Sequence, residues 1–243
     1  MNTSNNVIIS VGDYSGHWSK PWRDAGYQVW RIDPKLSLTG CDDLAPNDWA
    51  MSMTAQEFAS AEPGAWLGTR EKVIGCLFAP PCTDFAGCGS QHWPAKDADG
   101  TTEASLEIID ACMAIVDACK PTWWYLENPV GRLSTQFADH VRGKPMYVQP
   151  HEYAHLAGTV GEIKAERYTK KTGLWGEFDR GMLKSLKGQL EPIMYTSKDG
   201  KKRGSYMWAK LGGKSERTKT LRSMTPSGLA RATFKATQGW YYA

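Results

Sequence analysis

Apolar residues fall into short runs separated by small, polar or proline-rich stretches. The run Val7 to Val11 predicts a buried strand, followed by a small-residue turn. The segment SKPWRDAG predicts a short helix ended near Gly26, and Tyr27 to Ile32 a second strand that stops at an acid, Asp33. EKVIGCLFAPPC predicts a third strand ended by Pro80 and Pro81. In TEASLEIIDACMAIVDACKP, Leu106, Ile109, Met113, Ala114 and Val116 recur at helical spacing until Pro121 stops the helix. TWWYLENPVG predicts a further strand ending in Glu127-Asn128-Pro129, and TPSGLARATFKATQ a last helix from Pro226 to about Thr237.

Strands alternating with helices predict an α/β fold, a doubly wound and mostly parallel sheet of Rossmann-like type. In such sheets ligands sit beyond the carboxyl ends of the strands. Asp33, Cys82 and Glu127 all fall just past predicted strand ends, so the topology gathers them at one edge. The pattern loosens from about Arg142 to Lys202, where prolines, glycines and lysines are frequent. This divides the chain into a core over 1–141, a small loop-rich region over 142–204, and a return to the core with the C-terminal helix over 205–243. No internal repeat is present.

The 243 residues suffice for one complete core with a small appended region, and 41% of them are hydrophobic. No run approaches the roughly 18 apolar residues of a membrane span, and no signal-peptide pattern opens the chain. A soluble cytoplasmic protein, working as a monomer away from membranes, is expected. The net charge is only +3, but basic residues crowd between Lys164 and Arg231, including KDGKKRG and KSERTKTLR. Such a run is a solvated surface or, on the sharper reading, a phosphate-facing groove.

The six cysteines include no C-x-x-C pair, so a structural zinc site is not expected. Cys112 and Cys119 lie in the apolar helix and read as core. Cys82 differs. Two prolines fix the backbone before it and aim a side chain at the sheet edge. No histidine is evidently paired with it, which disfavours a protease-like dyad. Glu127, at the end of an apolar strand, would be partly desolvated, and desolvation favours a protonated acid. The opening turn has only Gly12 and Gly16, so G-x-G-x-x-G is not matched. HEYAH, His151 to His155, matches H-E-x-x-H, but Pro150 precedes it and Gly161 stands where a third histidine would be wanted. No metal is expected there.

These segments resemble the DNA cytosine-5 methyltransferases, above all their short bacteriophage members. DYSGHWSKPW resembles the first cofactor motif, PPCTDF the nucleophile loop (usually P-P-C-Q-x-F), and ENP the glutamate motif (usually E-N-V). RYTKKTGLW stands where the family has Q-x-R-x-R, and MTPSGLARATF is similar to the final helix. The order is the family's, and the matches cover most of the chain. The departures are Tyr14 and Gly16 where the family often has two glycines, Thr83 for glutamine, lysines for arginines, and a last helix without G-N-S-V.

The resemblance implies a methyltransferase fold in which the loose region reads the target. It implies S-adenosylmethionine as methyl donor and duplex DNA as substrate, in a bacterial or phage-infected cell. It assigns catalysis to Cys82 and Glu127, bracing of the Cys82 loop to Asn128, and support of the glutamate loop or the backbone around the flipped base to Arg167, Lys170 and Lys171. It gives cofactor contacts to Asp13, Tyr14, Ser15, Gly16, Trp18, Asp33 and Pro80. The acid for the adenine amine stays open between Asp42, Asp43 and the stretch near Thr54. Lys170, Lys201, Lys202 and Arg203 would face DNA phosphates. With fewer than 100 residues between Pro129 and the last helix, a short recognition sequence is expected.

Three other readings compete. The nearest is the same chemistry on RNA or a cytosine nucleotide. A non-catalytic nucleic-acid-binding protein on the same fold is disfavoured by the intact Cys82 and Glu127. A zinc peptidase comes last.

Overall fold

The computed structural model describes residues 3, 5–36, 46–68, 71–197, 200, 203–205 and 215–239. Its chain divides into two compact units, one of residues 1–146 and 172–178, the other of residues 147–171 and 179–243.

The first unit opens as its sequence predicts, with β1 (Asn6–Val11), α1 (Lys20–Asp24) and β2 (Gln28–Ile32). Then comes β3 (Asp48–Met51), a strand the apolar pattern does not announce because only four residues form it. Next are α2 (Ala55–Ser60), β4 (Lys72–Phe78), α3 (Trp93–Ala98), α4 (Thr101–Cys119) and β5 (Trp123–Pro129). A capping box starts α2: Thr54 accepts from the Glu57 amide while the Glu57 carboxylate accepts from Thr54. Lys120, with a left-handed φ of 45°, and Pro121 stop α4.

The sheet runs in the order β3-β2-β1-β4-β5-β7, where β7 is Thr172–Glu177, and β6 (Met146–Val148), which begins on the last residue of segment 1–146, completes the seven-stranded order. The pairs among β1 to β5 are parallel, and β7 runs antiparallel to β5. β1, β4 and β5 are buried nearly throughout, as strands covered on both faces must be. One face meets α2 and α4, whose Phe58, Leu106, Ile109, Cys112, Met113, Ile115 and Val116 join Val7, Ile9, Phe78, Trp124 and Leu126. Each such side chain adds roughly 1.5–3 kcal/mol on burial. Ala114, expected on that face, is exposed, and Ile115 is buried in its stead. The other face is aromatic: Trp22 stacks on Trp123, and Phe178 stacks on Tyr125 with 4.3 Å between ring centroids.

The second unit continues from β6 with α5 (Pro150–Tyr153) and α6 (Val160–Glu166). After the chain leaves β7 it forms α7 (Arg180–Ser185), the hairpin β8 (Met194–Thr196) with β9 (Arg203–Ser205), α8 (Glu216–Ser223) and α9 (Ser227–Gln238). The Glu166 carboxylate accepts the Ser227 and Gly228 amides at the start of α9, 2.6 and 2.9 Å away. That satisfies amides a helix N-terminus leaves open. Gly228 is needed there because a Cβ would lie 2.3 Å from the Tyr153 carbonyl oxygen.

The bounds of these units differ from the expected division at two places. Residues 172–178 lie inside the supposed loop region yet supply a core strand, because TGLWGE pairs along the whole outer edge of β5. The last helix packs with α5, α6 and α7 of its own unit.

Candidate active site

The carboxyl edge of the sheet carries three loops of the first unit. The turn after β1 is shaped by Gly12, whose φ is +75° and where a Cβ would lie 2.3 Å from the Ala79 carbonyl oxygen. Only glycine tolerates both. Asp13, buried, does not face outward. Its carboxylate accepts the Ser19 hydroxyl at 2.7 Å, the Ser19 amide at 3.0 Å, the Ser10 hydroxyl at 3.1 Å and the Trp18 amide at 3.4 Å. These bonds hold the Asp13 carboxylate inside its own turn. Ser15 and Gly16 continue the turn, Gly16 with a φ of +67°, and Tyr14 is 48% exposed. Trp18 is 1% exposed, its ring set 6.4 Å from that of Tyr125. It packs in the core.

Beneath this turn Arg31 of β2 donates to the Tyr14 carbonyl at 3.2 Å and to Asp48 of β3 at 2.8 Å, and Arg23 of α1 pairs with the same carboxylate. The acid after β2, Asp33, accepts the Lys35 amide at 2.8 Å. Burial pushes its carboxyl up, and the charge of Asp13 adds to this. The amides of Lys35 and Tyr14 and the Lys35 ammonium pull the other way without cancelling it. Asp42 and Asp43 lie outside the described residues. Thr54 caps α2.

The loop after β4 holds Cys82, half-buried behind the buried Pro80 and the exposed Pro81. Burial pushes the thiols of Cys76 and Cys112 far up and that of Cys119 to about 11, which marks them as core. The Cys82 carbonyl accepts the amides of Phe85 and Ala86, turning the chain sharply. Asp84 is buried next to it, held by the Lys96 ammonium, by the Ser105 hydroxyl at 2.6 Å and by Thr83 at 3.3 Å. Burial alone would raise its carboxyl, but these donors bring it below its ordinary value.

Glu127 does not sit past β5 as expected but within it, opposite Leu174 of β7. By strand alternation it shares the face of Trp123 and Tyr125, and Asn128 shares that of Trp124 and Leu126. Glu127 is half-buried. Asn128 is 0% exposed, and neither its amide nitrogen nor its oxygen has a partner among the described residues.

The chain just after β5 braces the Cys82 loop. Just after β5, Gly131 bridges to Ala86, the Gly87 amide donates to the Val130 carbonyl at 3.0 Å, and the Arg132 amide donates to the Phe85 carbonyl at 3.0 Å. A Cβ at Gly131 would fall 1.8 Å from that Phe85 oxygen, so the close approach demands glycine. Arg132, 2% exposed, also sends Nε to the Asp84 carbonyl at 2.8 Å. Sequence reading missed Arg132. The available signal was a lone cation in the apolar stretch PVGRL, where a charge needs buried partners.

In the second unit, Arg167 donates through Nε to the Glu191 carbonyl at 2.8 Å, and the Lys170 ammonium donates to the Arg222 carbonyl at 3.2 Å. The Lys171 ammonium lies 4.6 Å from the Tyr147 ring centroid. The H-E-x-x-H stretch is split between α5 and a 3-10 turn, Ala154–Leu156. His151 faces the Leu190 carbonyl, and Glu152 caps α5 and pairs with Lys187. Among the described residues no three His, Cys, Asp or Glu side chains group as metal ligands, and no helix is long and apolar enough to cross a membrane. Lys201 and Lys202 lie outside the described residues, as does the side chain of Arg203.

No family model matches the chain, and no curated protein does. Two of the similar solved structures are methyltransferases. One is a DNA modification methyltransferase encoded within a prophage of E. coli, with a TM-score of 0.54, 11% identity, and coverage of 78% of this chain and 53% of that one. This chain thus spans about half the length of that protein. The other is an antibiotic-related methyltransferase, with a TM-score of 0.39, 11% identity, and coverage of 72% and 88%. The strand order and the first likeness agree on a Rossmann-like methyltransferase fold.

Proposed function

We propose that this protein methylates cytosine at C5 in duplex DNA, with S-adenosylmethionine as the methyl donor. One observation carries the reading: the loop that bears Cys82 is stitched, through Ala86–Gly131 and Phe85–Arg132, to the chain that has just borne Glu127. A thiol and a carboxyl held in fixed register at the sheet's carboxyl edge suit a pyrimidine that must be addressed from two sides. The prophage methyltransferase of similar fold supports the DNA substrate.

The donor fits the residues of the β1 and β2 ends. The left-handed Gly16 and exposed Tyr14 leave an open backbone turn, and Asp33 offers a buried carboxylate that ribose hydroxyls would satisfy. When bound there, S-adenosylmethionine supplies an electrophilic methyl group to C5. The remaining work falls to this chain. The target cytosine leaves the stack, at a cost of a few kcal/mol. The Cys82 thiolate forms a bond to C6. Glu127 protonates N3 as ring electrons move toward it, which leaves C5 nucleophilic. After methylation a base removes the C5 proton, the C6–sulfur bond breaks, and Cys82 leaves as thiolate while Glu127 recovers its proton.

The second unit would carry target recognition. Its size favours a context of two to four bases, because each bidentate base-edge contact needs its own side chain. Lys170 and the KDGKKRG segment would add sequence-independent phosphate contacts.

Incubation with labelled S-adenosylmethionine and duplex DNA, followed by nucleoside analysis, tests the reaction. Label in 5-methylcytosine is expected. Label in an exocyclic amine, or in RNA alone, would overturn it. Bisulfite sequencing of methylated random DNA reads the context, and six or more fixed bases would contradict a small reader.

A further inference from the structure

The carbonyls that follow Cys82 are each claimed by a donor from outside the loop. Thr83 O accepts from the Lys96 ammonium at 3.0 Å, Asp84 O from Arg132 Nε at 2.8 Å, and Phe85 O from the Arg132 amide at 3.0 Å. A loop held only by its own turn would leave these oxygens to water. Here one side chain and its own backbone grip two successive carbonyls.

Arg132 is itself fixed. Its Nη1 meets the Asp97 carboxylate of α3 at 2.9 Å, and its Nη2 donates to the Thr102 hydroxyl of α4 at 2.7 Å. Thr102 in turn donates to Asp97 at 2.5 Å. The guanidinium lies 4.8 Å from the Trp93 ring centroid and 5.1 Å from that of Phe137. Lys96 and Asp84 complete the group, so two cations face two carboxylates. A buried guanidinium is costly without such partners, and with them it has one orientation. Three acceptors in three directions suit the rigid guanidinium fork, whereas a lysine ammonium in that place would reach only some of them.

The position of Arg132 gives this group its meaning. It stands five residues after Glu127 and clasps the loop two and three residues after Cys82. We infer that Arg132 is the positioning residue that sets the spacing between the Cys82 sulfur and the Glu127 carboxyl. The inference rests on the cytosine-5 reading above. There C6 and N3 lie at opposite corners of one ring, and the two side chains must meet them together. A misplacement of about 1 Å costs a reaction on the order of a hundredfold. Arg132 touches neither substrate nor reacting atoms. It acts through the loop backbone.

The test compares wild type with Arg132→Lys and Thr102→Val. The first keeps the charge but loses the fork, and the second keeps shape but removes one acceptor of the fork. Folding is checked by circular dichroism and thermal melting. Two readouts follow: kcat and KM for duplex DNA, and the rate of Cys82 alkylation by iodoacetamide in the protein alone. Peptide mass spectrometry locates the adduct, and the exposed Cys88 serves as internal reference. Arg132→Lys is expected to lower kcat about tenfold or more with KM within about twofold, and to change the Cys82-to-Cys88 alkylation ratio. Thr102→Val should do the same more weakly. A folded Arg132→Lys protein with unchanged kcat and unchanged ratio overturns the inference. If Arg132→Lys does not fold, unchanged values in folded Thr102→Val overturn it. Should wild type transfer no methyl group to cytosine, the functional reading falls by itself. The alkylation ratio then still decides whether Arg132 positions Cys82.

Discussion

The turn after β1 and the loop after β4 leave the same sheet edge, and each is organised around a buried aspartate, yet they are built differently. Asp13 collects neutral donors from within six residues: Ser10, Trp18 and Ser19. Asp84 sits in a charged cluster assembled from Lys96 and Ser105, and its carbonyl meets Arg132, 48 residues along the chain. The first loop is a local device that shapes itself. The second is held by the rest of the domain, so its geometry reports on the packing of α3, α4 and the segment after β5. A binding turn tolerates the first construction. Under the proposed reaction, a nucleophile that must meet a partner on another strand calls for the second.

The largest expected effect asks whether the second loop carries chemistry at all. Cys82→Ser should lower methyl transfer by about a thousandfold or more, since a serine hydroxyl is not ionised at neutral pH, while the melting temperature stays near that of wild type. A filter assay with labelled donor decides it. Normal turnover would reduce the loop to structure.

Next comes Asp84→Asn, which leaves Lys96 without its carboxylate. Loss of roughly 2–3 kcal/mol is expected, toward the low side for a broken buried pair because Lys96 is partly open to water, together with a fall in kcat of about tenfold or more. The pH dependence has a definite sign. Asp84 titrates below its ordinary value in the folded protein. Its contribution is therefore whole above the unfolded value of about 3.9 and is lost as pH falls through the lower folded value. Urea midpoints of wild type and Asp84→Asn should differ at pH 6 and converge below about pH 4. A constant gap down to pH 3 would show that the charge is irrelevant.

Asp13→Asn should be milder, about 1–2 kcal/mol, because the serine hydroxyls can turn to suit an amide. Its signature should be weaker S-adenosylmethionine binding in isothermal titration with DNA affinity unchanged. A large loss of DNA binding would contradict a local role.

The smallest stability effect belongs to Asn128→Leu. A buried amide without partners among the described residues carries a desolvation cost that an apolar side chain of similar size does not. The melting temperature should hold or rise slightly, and activity should fall if the amide serves a bound state. A melting temperature lowered by several degrees would reveal a partner for it in solution.

This contrast also explains what could be read from the chain. Periodicity located β1, β2, β4, α4, β5 and the last helix, because each buries a regular face. The resemblance marked Cys82 and Glu127 through short unbroken motifs. Asp13 lay inside such a motif, but its inward turn did not show, since sequence spacing does not say which way a carboxylate points. The lone cation of PVGRL hints that Arg132 is buried, but its role does not show, because its partners Asp84, Asp97 and Thr102 are scattered over three elements. β3 is too short for a pattern, and β7 hides among lysines and glycines as a strand whose only mark is its pairing with β5.

That pairing has a consequence for synthesis. As the chain leaves the ribosome, β5 emerges with β4 already made, but the partner of its other edge follows roughly forty residues later. At 5–20 residues per second that is a wait of about 2 to 8 s. Throughout it, the strand that carries Glu127 is the open border of a growing sheet, with Leu126 and Asn128 on a row of unpaired amides and carbonyls. A ribosome stalled between Pro129 and Thr172 would therefore present a sticky edge, and the six residues Thr172–Glu177 are those that close it.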